Sequence, residues 1–270
     1  MSKNNYIDWL NQRAMRGRNF FTKRDLREAF PDVSDKALSV TLNRLTEGKR
    51  IMSPWQNFYV IIPTQYKLKS VVPPSYYIDD LMAFLGRRYY VSLLSAAALH
   101  GASHQAVMSF FVTADGAPLH NGIKNGSRFL LFQKKDINIR WVKQIRTEGG
   151  YMNVSSPLMT ILDIVKNESK IGGISRASEI IYELTEKVAF DENSLDLLKE
   201  YSPAVMQRLG YILGFLELEA YESDLLNLCK KMGLKFRYTK LKYSKTIHED
   251  DERNKTWKII VNETIDLDEI

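Results

Sequence analysis

The first sixty residues alternate short amphipathic stretches with helix start and stop signals. Ile7, Leu10 and Ala14 recur at spacings of three and four, which predicts one apolar helical face. Thr22 suits a helix N-cap, Lys23-Arg24-Asp25 follow it, and the helix it opens ends at Phe30 before Pro31. Leu26, Ala29 and Phe30 are the expected buried stripe. Ser34 caps a third helix, Asp35 favours its positive end, and Gly48 stops it. Two β-prone runs follow, residues 49–52 and 58–62, around Ser53-Pro54-Trp55-Gln56-Asn57 and closed by Pro63. Three helices, a short turn between the second and third, and a hairpin make the order of a winged helix-turn-helix.

The pattern then changes. Residues 64–76, with Pro73-Pro74, read as an extended linker between a winged helix-turn-helix at 1–63 and a larger mixed α/β (α+β) domain at 77–270. Asp79-Asp80 opens a helix through Leu85, and Gly86 ends it. Residues 89–101 are almost uniformly apolar or small and predict a helix buried on nearly all sides. Strands are expected at 109–113, 129–132, 137–142 and 151–154. Ser156-Pro157 starts a strong helix, with proline at the first helical position. Two or three helices should fill 175–233. A last strand pair at 234–243 and 255–262 should flank an exposed charged loop at 248–254.

Charge sharpens the first domain. Residues 1–70 hold 13 Lys/Arg against 6 Asp/Glu, a net of +7. Residues 71–160 are +4 and residues 161–270 are −5. The small N-terminal unit therefore exceeds the whole chain's excess of +6 and sets up a local field that attracts polyanions. A hydrophobic content of 44% with 26% charged residues excludes wholesale disorder in the 270 residues. The lone Cys229 cannot form an intrachain disulfide. The run at 89–102 is shorter than a membrane span needs, and nothing near Met1 resembles a signal peptide. A cytoplasmic protein without membrane contact is expected.

The third helix separates into faces. Leu38, Leu42 and Leu45 share one side, and Lys36, Val40, Asn43 and Glu47 lie opposite, flanked by Ser39 and Arg44. A recognition helix presents such exposed residues to base edges in the major groove. Asn43 suits a bidentate pair with adenine, Ser39 donates or accepts, and Val40 suits a thymine methyl group. Lys36 and Arg44 suit phosphate or guanine, whereas Glu47 repels phosphate and belongs outside the groove. Ser34 joins this set at the helix start. Lys23 and Arg24, at the positive end of the second helix, suit the DNA backbone. Arg50, Trp55, Gln56 and Asn57 would reach a minor groove or nearby phosphates from the wing. Plain solvation is the competing reading for each of these polar residues.

A family resemblance runs through the same residues. Gly17-Arg18-Asn19-Phe20-Phe21-Thr22-Lys23-Arg24-Asp25-Leu26 resembles the entry to the DNA-binding domain of AbiEi-type antitoxins, as do Leu42-Asn43-Arg44-Leu45, Gly48, Arg50-Ile51 and Phe58-Tyr59-Val60-Ile61. Ile78-Asp79-Asp80-Leu81-Met82, the run from Tyr89-Tyr90-Val91 to Leu99-His100-Gly101-Ala102, and His104-Gln105 are similar too, as are Val154-Ser155-Ser156-Pro157 and Leu162-Asp163. The resemblance covers roughly residues 5–175. It implies a winged helix that binds promoter repeats in operator DNA and represses its own operon, followed by an antitoxin domain. The partner it implies is a nucleotidyltransferase-like toxin, counteracted directly or indirectly. The wing tip departs from the pattern, since Pro54-Trp55-Gln56-Asn57 stands where basic residues or a glycine are expected.

Catalytic patterns are weak. His100 and His104 have the i, i+4 spacing of a metal pair, but the Glu of a zinc protease is missing and Gly101 weakens the helix between them. Asp115 and Gln133-Lys134-Lys135, each after a predicted strand, outline a magnesium nuclease that lacks its second carboxylate. Gly126-Ser127-Arg128 has no Asp-x-Asp after it, and Asp266-Leu267-Asp268 is a terminal tail, so the chain is not expected to be the toxin. Neither Gly149-Gly150 nor Gly172-Gly173 leads into Lys-Ser or Lys-Thr. The sequence thus favours a non-enzymatic, cofactor-free DNA-binding antitoxin. A winged-helix-guided nuclease and a ligand-sensing regulator unrelated to a toxin are the alternatives.

Overall fold

The computed structural model describes residues 3–68, 71–102 and 108–267. The chain divides into two compact units, the first made of residues 1–91, 108–137 and 144–153, the second of 92–107, 138–143 and 154–270. The structure is mixed α/β, as the pattern predicts.

The first unit begins with helix α1 (Lys3–Met15), strand β1 (Phe20–Thr22), helices α2 (Lys23–Ala29) and α3 (Asp35–Glu47), and strands β2 (Ile51–Trp55) and β3 (Phe58–Ile61). The strands form an antiparallel sheet in the order β1-β3-β2. Three helices and this sheet fit a winged helix. Successive strand residues point to opposite faces, so Phe20 and Phe21 send their rings to opposite sides. Phe21 stacks on Tyr59 at 5.3 Å and meets Trp9 edge-on at 5.2 Å. Phe20 stacks on Phe58 at 5.2 Å. The helical core adds Tyr6, Leu10, Leu26, Phe30, Leu38, Leu42 and Leu45. Each fully buried leucine here contributes about 1.5–3 kcal/mol relative to exposure.

Three residues of the expected stripes are not in this core. Ala14 and Ala29 are exposed, and Ile7 is half-buried. The aromatic rings determine the helix orientations, with Tyr6 packing on Phe30 at 4.4 Å and Trp9 on Phe30 at 5.9 Å. Larger rings bury more area than an alanine methyl, so they set the rotation of α1 and α2.

Residues 64–66 and 74–76 form single 3-10 turns, with Val72 and Tyr76 buried. Helix α4 (Ile78–Phe84) follows, and Phe84 packs on the second face of the winged sheet at Phe58, 5.5 Å away. The run at 89–101, expected as one helix, divides into strand β4 (Tyr89–Val91) and helix α5 (Leu93–Leu99). Tyr89-Tyr90-Val91 is an aromatic and β-branched triplet that pairs antiparallel with β5 (Ser109–Ala114). Leu93, at φ +49°, marks the change of direction.

Strands β6 (Gly122–Lys124), β7 (Ser127–Gln133), β8 (Val142–Thr147) and β9 (Gly150–Ser155) complete a six-stranded sheet in the order β6-β7-β5-β4-β9-β8. The β5–β7 pair is parallel. The strand expected at 137–142 is instead a 3-10 turn (Ile139–Trp141), because the Asn138 side chain accepts from Arg140 N. The strand proper begins at Val142.

The second unit holds α5 and a helical bundle: α6 (Pro157–Lys166), α7 (Glu168–Ile171), α8 (Ile174–Thr185), α9 (Leu195–Leu198), α10 (Pro203–Phe215) and α11 (Glu219–Lys231). Helix α6 is buried from Leu158 to Val165, Asp163 included, and the Tyr201 hydroxyl donates to that carboxylate at 2.8 Å. The C-terminal strands are shorter than expected: β10 (Thr239–Lys240) runs parallel to β12 (Ile259–Val261). Strand β11 (Glu252–Asn254), inside the loop expected at 248–254, pairs antiparallel with β12. Among the described residues no helix is long and apolar enough to cross a membrane.

One carboxylate in the first unit costs stability at neutral pH. Burial, reinforced by the neighbouring Asp79 charge, pushes the Asp80 carboxyl up to about 6 from an ordinary 3.8. Because the folded value is raised, its contribution is complete below pH 3.8 and is lost as pH rises through about 6. Asp80→Asn is therefore expected to raise the melting temperature well above pH 6 and to lose that advantage near pH 4, which a pH series of thermal melts checks.

Candidate nucleic-acid interface

Local hydrogen bonding places the exposed cations of the first unit. The Thr22 side chain accepts from Asp25 N at 3.1 Å, and Asp25 Oδ2 accepts from Thr22 N at 2.7 Å, a reciprocal capping box. Lys23 N donates to the Asn57 carbonyl at 3.2 Å, tying the start of α2 to the wing. Asn57 reaches this position at φ +62°, in the left-handed region that asparagine tolerates. These bonds occupy backbone amides of the α2 N-terminus that a phosphate would otherwise use. The side chains of Lys23 and Arg24 are what this end offers a polyanion.

The α2–α3 turn is held by the Arg27–Asp35 ion pair. Ser34 caps α3 by accepting from Ala37 N at 3.3 Å. With Leu38, Leu42 and Leu45 buried, the opposite side presents Lys36, Asn43 and Arg44 to solvent, and Val40 is 41% exposed.

The residues read from sequence fall on two flanks of α3. Ser34, Lys36, Val40, Arg44 and Arg50 line a groove along α1, together with Tyr6 and Ile7. Lys23, Arg24 and Asn57 line a second groove on the wing side. Asn43 is exposed on α3 and Gln56 at the wing tip. Ser39 is less available than its spacing implies: its hydroxyl donates to the Asp35 carbonyl at 2.9 Å and accepts from Lys23 Nζ at 3.4 Å.

Three cations in the second groove were not among those read from sequence: Arg13, Arg18 and Arg27, the last paired with Asp35. Arg13 Nη2 donates to the Phe20 carbonyl at 2.9 Å, and its guanidinium lies 5.0 Å from the Trp9 ring centroid. Burial pulls its pKa down from the ordinary arginine value. The signal available in sequence was the i, i+4 spacing of Trp9 and Arg13, which places them on one helix face. At the wing, half-buried Trp55 has Lys124 Nζ 4.7 Å from its ring centroid.

The catalytic alternatives gain little from the geometry. Asp115 accepts from Arg88 N at 2.9 Å and from Arg88 Nε at 2.7 Å, and these bonds hold its carboxyl below the usual range. Gln133 Nε2 donates to the Gly116 carbonyl at 2.6 Å. In the second unit, His100 Nε2 donates to the Ser155 carbonyl at 2.7 Å, and burial lowers its pKa. His104 and Asp268 lie outside the described residues. Among the described residues no three His, Cys, Asp or Glu side chains gather as a metal site would require. Burial pushes the Cys229 thiol up to about 12, far from a reactive thiolate.

Comparison with known proteins adds a domain match and a likeness of fold. Residues 90–215 match the model of the AbiEi antitoxin C-terminal domain. The crystal structure of the RV2827C protein from Mycobacterium tuberculosis aligns with 93% of this chain and 88% of its own, at a TM-score of 0.66 and 12% sequence identity. That likeness is one of fold. No curated protein matches the chain.

The capping box is open to direct test. Thr22→Ala is expected to lower stability by about 1 kcal/mol and Thr22→Ser to keep most of it, measured by urea unfolding.

Proposed function

We propose that this chain, whose residues 90–215 match the AbiEi antitoxin C-terminal domain, is a DNA-binding antitoxin that represses its own operon. In this reading residues 1–63 read the operator, residues 64–76 link, and residues 77–270 counteract a nucleotidyltransferase-like toxin, directly or indirectly. The observation that carries the DNA half is the exposed face of α3, where Lys36, Val40, Asn43 and Arg44 stand opposite a fully apolar side.

The division of labour follows from chemistry. Asn43 reads an adenine edge, Val40 meets a thymine methyl group, and Lys36 and Arg44 take phosphate or guanine. Lys23 and Arg24 neutralise backbone phosphates from the wing side, with Arg50, Gln56 and Asn57 completing the footprint. Ser34 fixes the start of the recognition helix, and Ser39, held by Lys23, positions that lysine as much as it reads a base. The net of +7 over residues 1–70 provides the field in which this docking takes place.

The decisive measurement is gel-shift binding to the DNA immediately upstream of the coding sequence, against scrambled DNA, over a salt series. Salt-sensitive and selective binding is expected. Binding without selectivity would remove the recognition role from α3. Asn43→Ala should cost about 1–3 kcal/mol on the operator and little on random DNA. Equal losses on both would show that Asn43 reads no base. Lys23→Ala should weaken both DNAs alike and reduce the salt slope by about 1. Rescue of growth by co-expression with the neighbouring toxin gene tests the antitoxin half.

A further inference from the structure

The hairpin of β6 and β7 shares the first unit with the winged helix and touches the wing itself. Its turn is tight, with Asn125 at φ +46° and Gly126 at φ +82°, the paired left-handed conformation of a two-residue hairpin turn. Gly126 lies flush against the Val71 side chain, leaving no room for a Cβ. Lys124 reaches from the hairpin to the Trp55 ring of the wing. A cation over an indole face is held there by the ring quadrupole, so the two hairpins are fastened side by side.

Charge and exposure on this hairpin are one-sided. From Gly116 to Lys135 the chain carries Lys124, Arg128, Lys134 and Lys135 and not one Asp or Glu. Arg128 is exposed, and among the described residues no acidic side chain pairs with it or with Lys124. Directly across the strand pair from Arg128 stands Ile123, 74% exposed. An uncovered aliphatic beside an unpaired guanidinium, on an acid-free hairpin next to a DNA-facing wing, is suited to a phosphate-lined surface. β-Ribbons with cations and an exposed apolar residue meet DNA in this way.

We infer that the β6–β7 hairpin is a second wing: duplex DNA engaged by α3 and the first wing continues across it, with Lys124 and Arg128 on backbone phosphates. This rests on the DNA-binding reading of α3. It also supplies the basic group that the Pro54-Trp55-Gln56-Asn57 wing tip lacks, since Lys124 stands at Trp55 where a basic wing residue is expected.

Arg128 is exposed, so replacing it leaves the fold intact, and Arg128→Ala is the primary test. Binding to the DNA upstream of the coding sequence is measured over a salt series together with a hydroxyl-radical footprint. Arg128→Ala is expected to weaken binding roughly three- to tenfold at low salt and to lower the salt slope by about 1. The protected segment should shorten on the wing side only, with the part under α3 unchanged. Lys124→Ala should add to the loss, and Lys124→Arg should restore it. Wild-type slope and footprint in Arg128→Ala, with Asn43→Ala still defective, would overturn the second wing and leave the recognition helix standing. Absence of selective binding by the unaltered protein would overturn both.

Discussion

The winged sheet is buried on both faces, and that constraint governs the geometry of the whole first unit. Phe21 and Tyr59 press one face onto the helices, while Phe20 and Phe58 press the other toward Phe84 of α4. Phe21 and Phe58 are completely inaccessible to solvent. A two-stranded hairpin alone is marginal in water, and a third strand with a packed apolar face makes the sheet stable. Sandwiched by aromatics, it becomes a fixed platform from which both the wing and α3 project. The bond from Lys23 N to the Asn57 carbonyl then locks the wing to the start of α2. The cations on α2, α3 and the wing therefore keep constant separations, which is the condition under which their charges add as a pattern.

Electrostatics in such an interface depends on which charges are left uncommitted. Asp25 is used by the capping box, Asp35 by Arg27, and Glu28 by Arg24 along one helix at 3.4 Å. Each acid in these three pairs is thus engaged locally. Arg24 keeps most of its freedom, because an exposed i, i+4 pair contributes only about 0.3–0.5 kcal/mol and yields readily to a phosphate. Ser39 differs, for its hydroxyl is already shared between a helix carbonyl and Lys23. In the proposed DNA contact its part would come through the lysine it holds.

Sequence reasoning reached the local features and stopped at the nonlocal ones. Thr22, Ser34 and Ser156 cap helices where their spacing to the following residues predicts, because a cap is decided within one helical turn. The leucine side of α3 was legible for the same reason, and with it the exposed face that bears the proposed contacts. The division of residues 89–101 was not, since an unbroken apolar run has no period to separate a buried strand from a buried helix. Pairing with β5 decides it, from about twenty residues away. Strand β6 escaped notice because Gly122-Ile123-Lys124 has no pattern until β7 lies beside it. Lys124 belongs to the same class: nothing in sequence connects it to Trp55.

The second unit shows a related dependence beyond the stretch that matches the family model. The match ends at residue 215, yet α10, which closes that stretch, is built to receive later residues. Gln207 Nε2 donates to the carbonyls of Arg237 at 2.8 Å and Trp257 at 2.7 Å, and Arg208 Nε donates to the Lys240 carbonyl at 3.0 Å. Gly210 lies so close to the Trp257 ring that a Cβ would overlap it, and the indole N–H donates to Glu222 Oε1 at 2.7 Å. Trp257 is wholly buried. Gln207 and Arg208 are polar groups on a buried helix face, and burying them is unfavourable without these carbonyl partners. In this chain the stretch 90–215 and the segment from 234 onward are therefore one cooperative structure, and an isolated fragment ending at 215 would expose the polar face of α10 that the C-terminal segment satisfies.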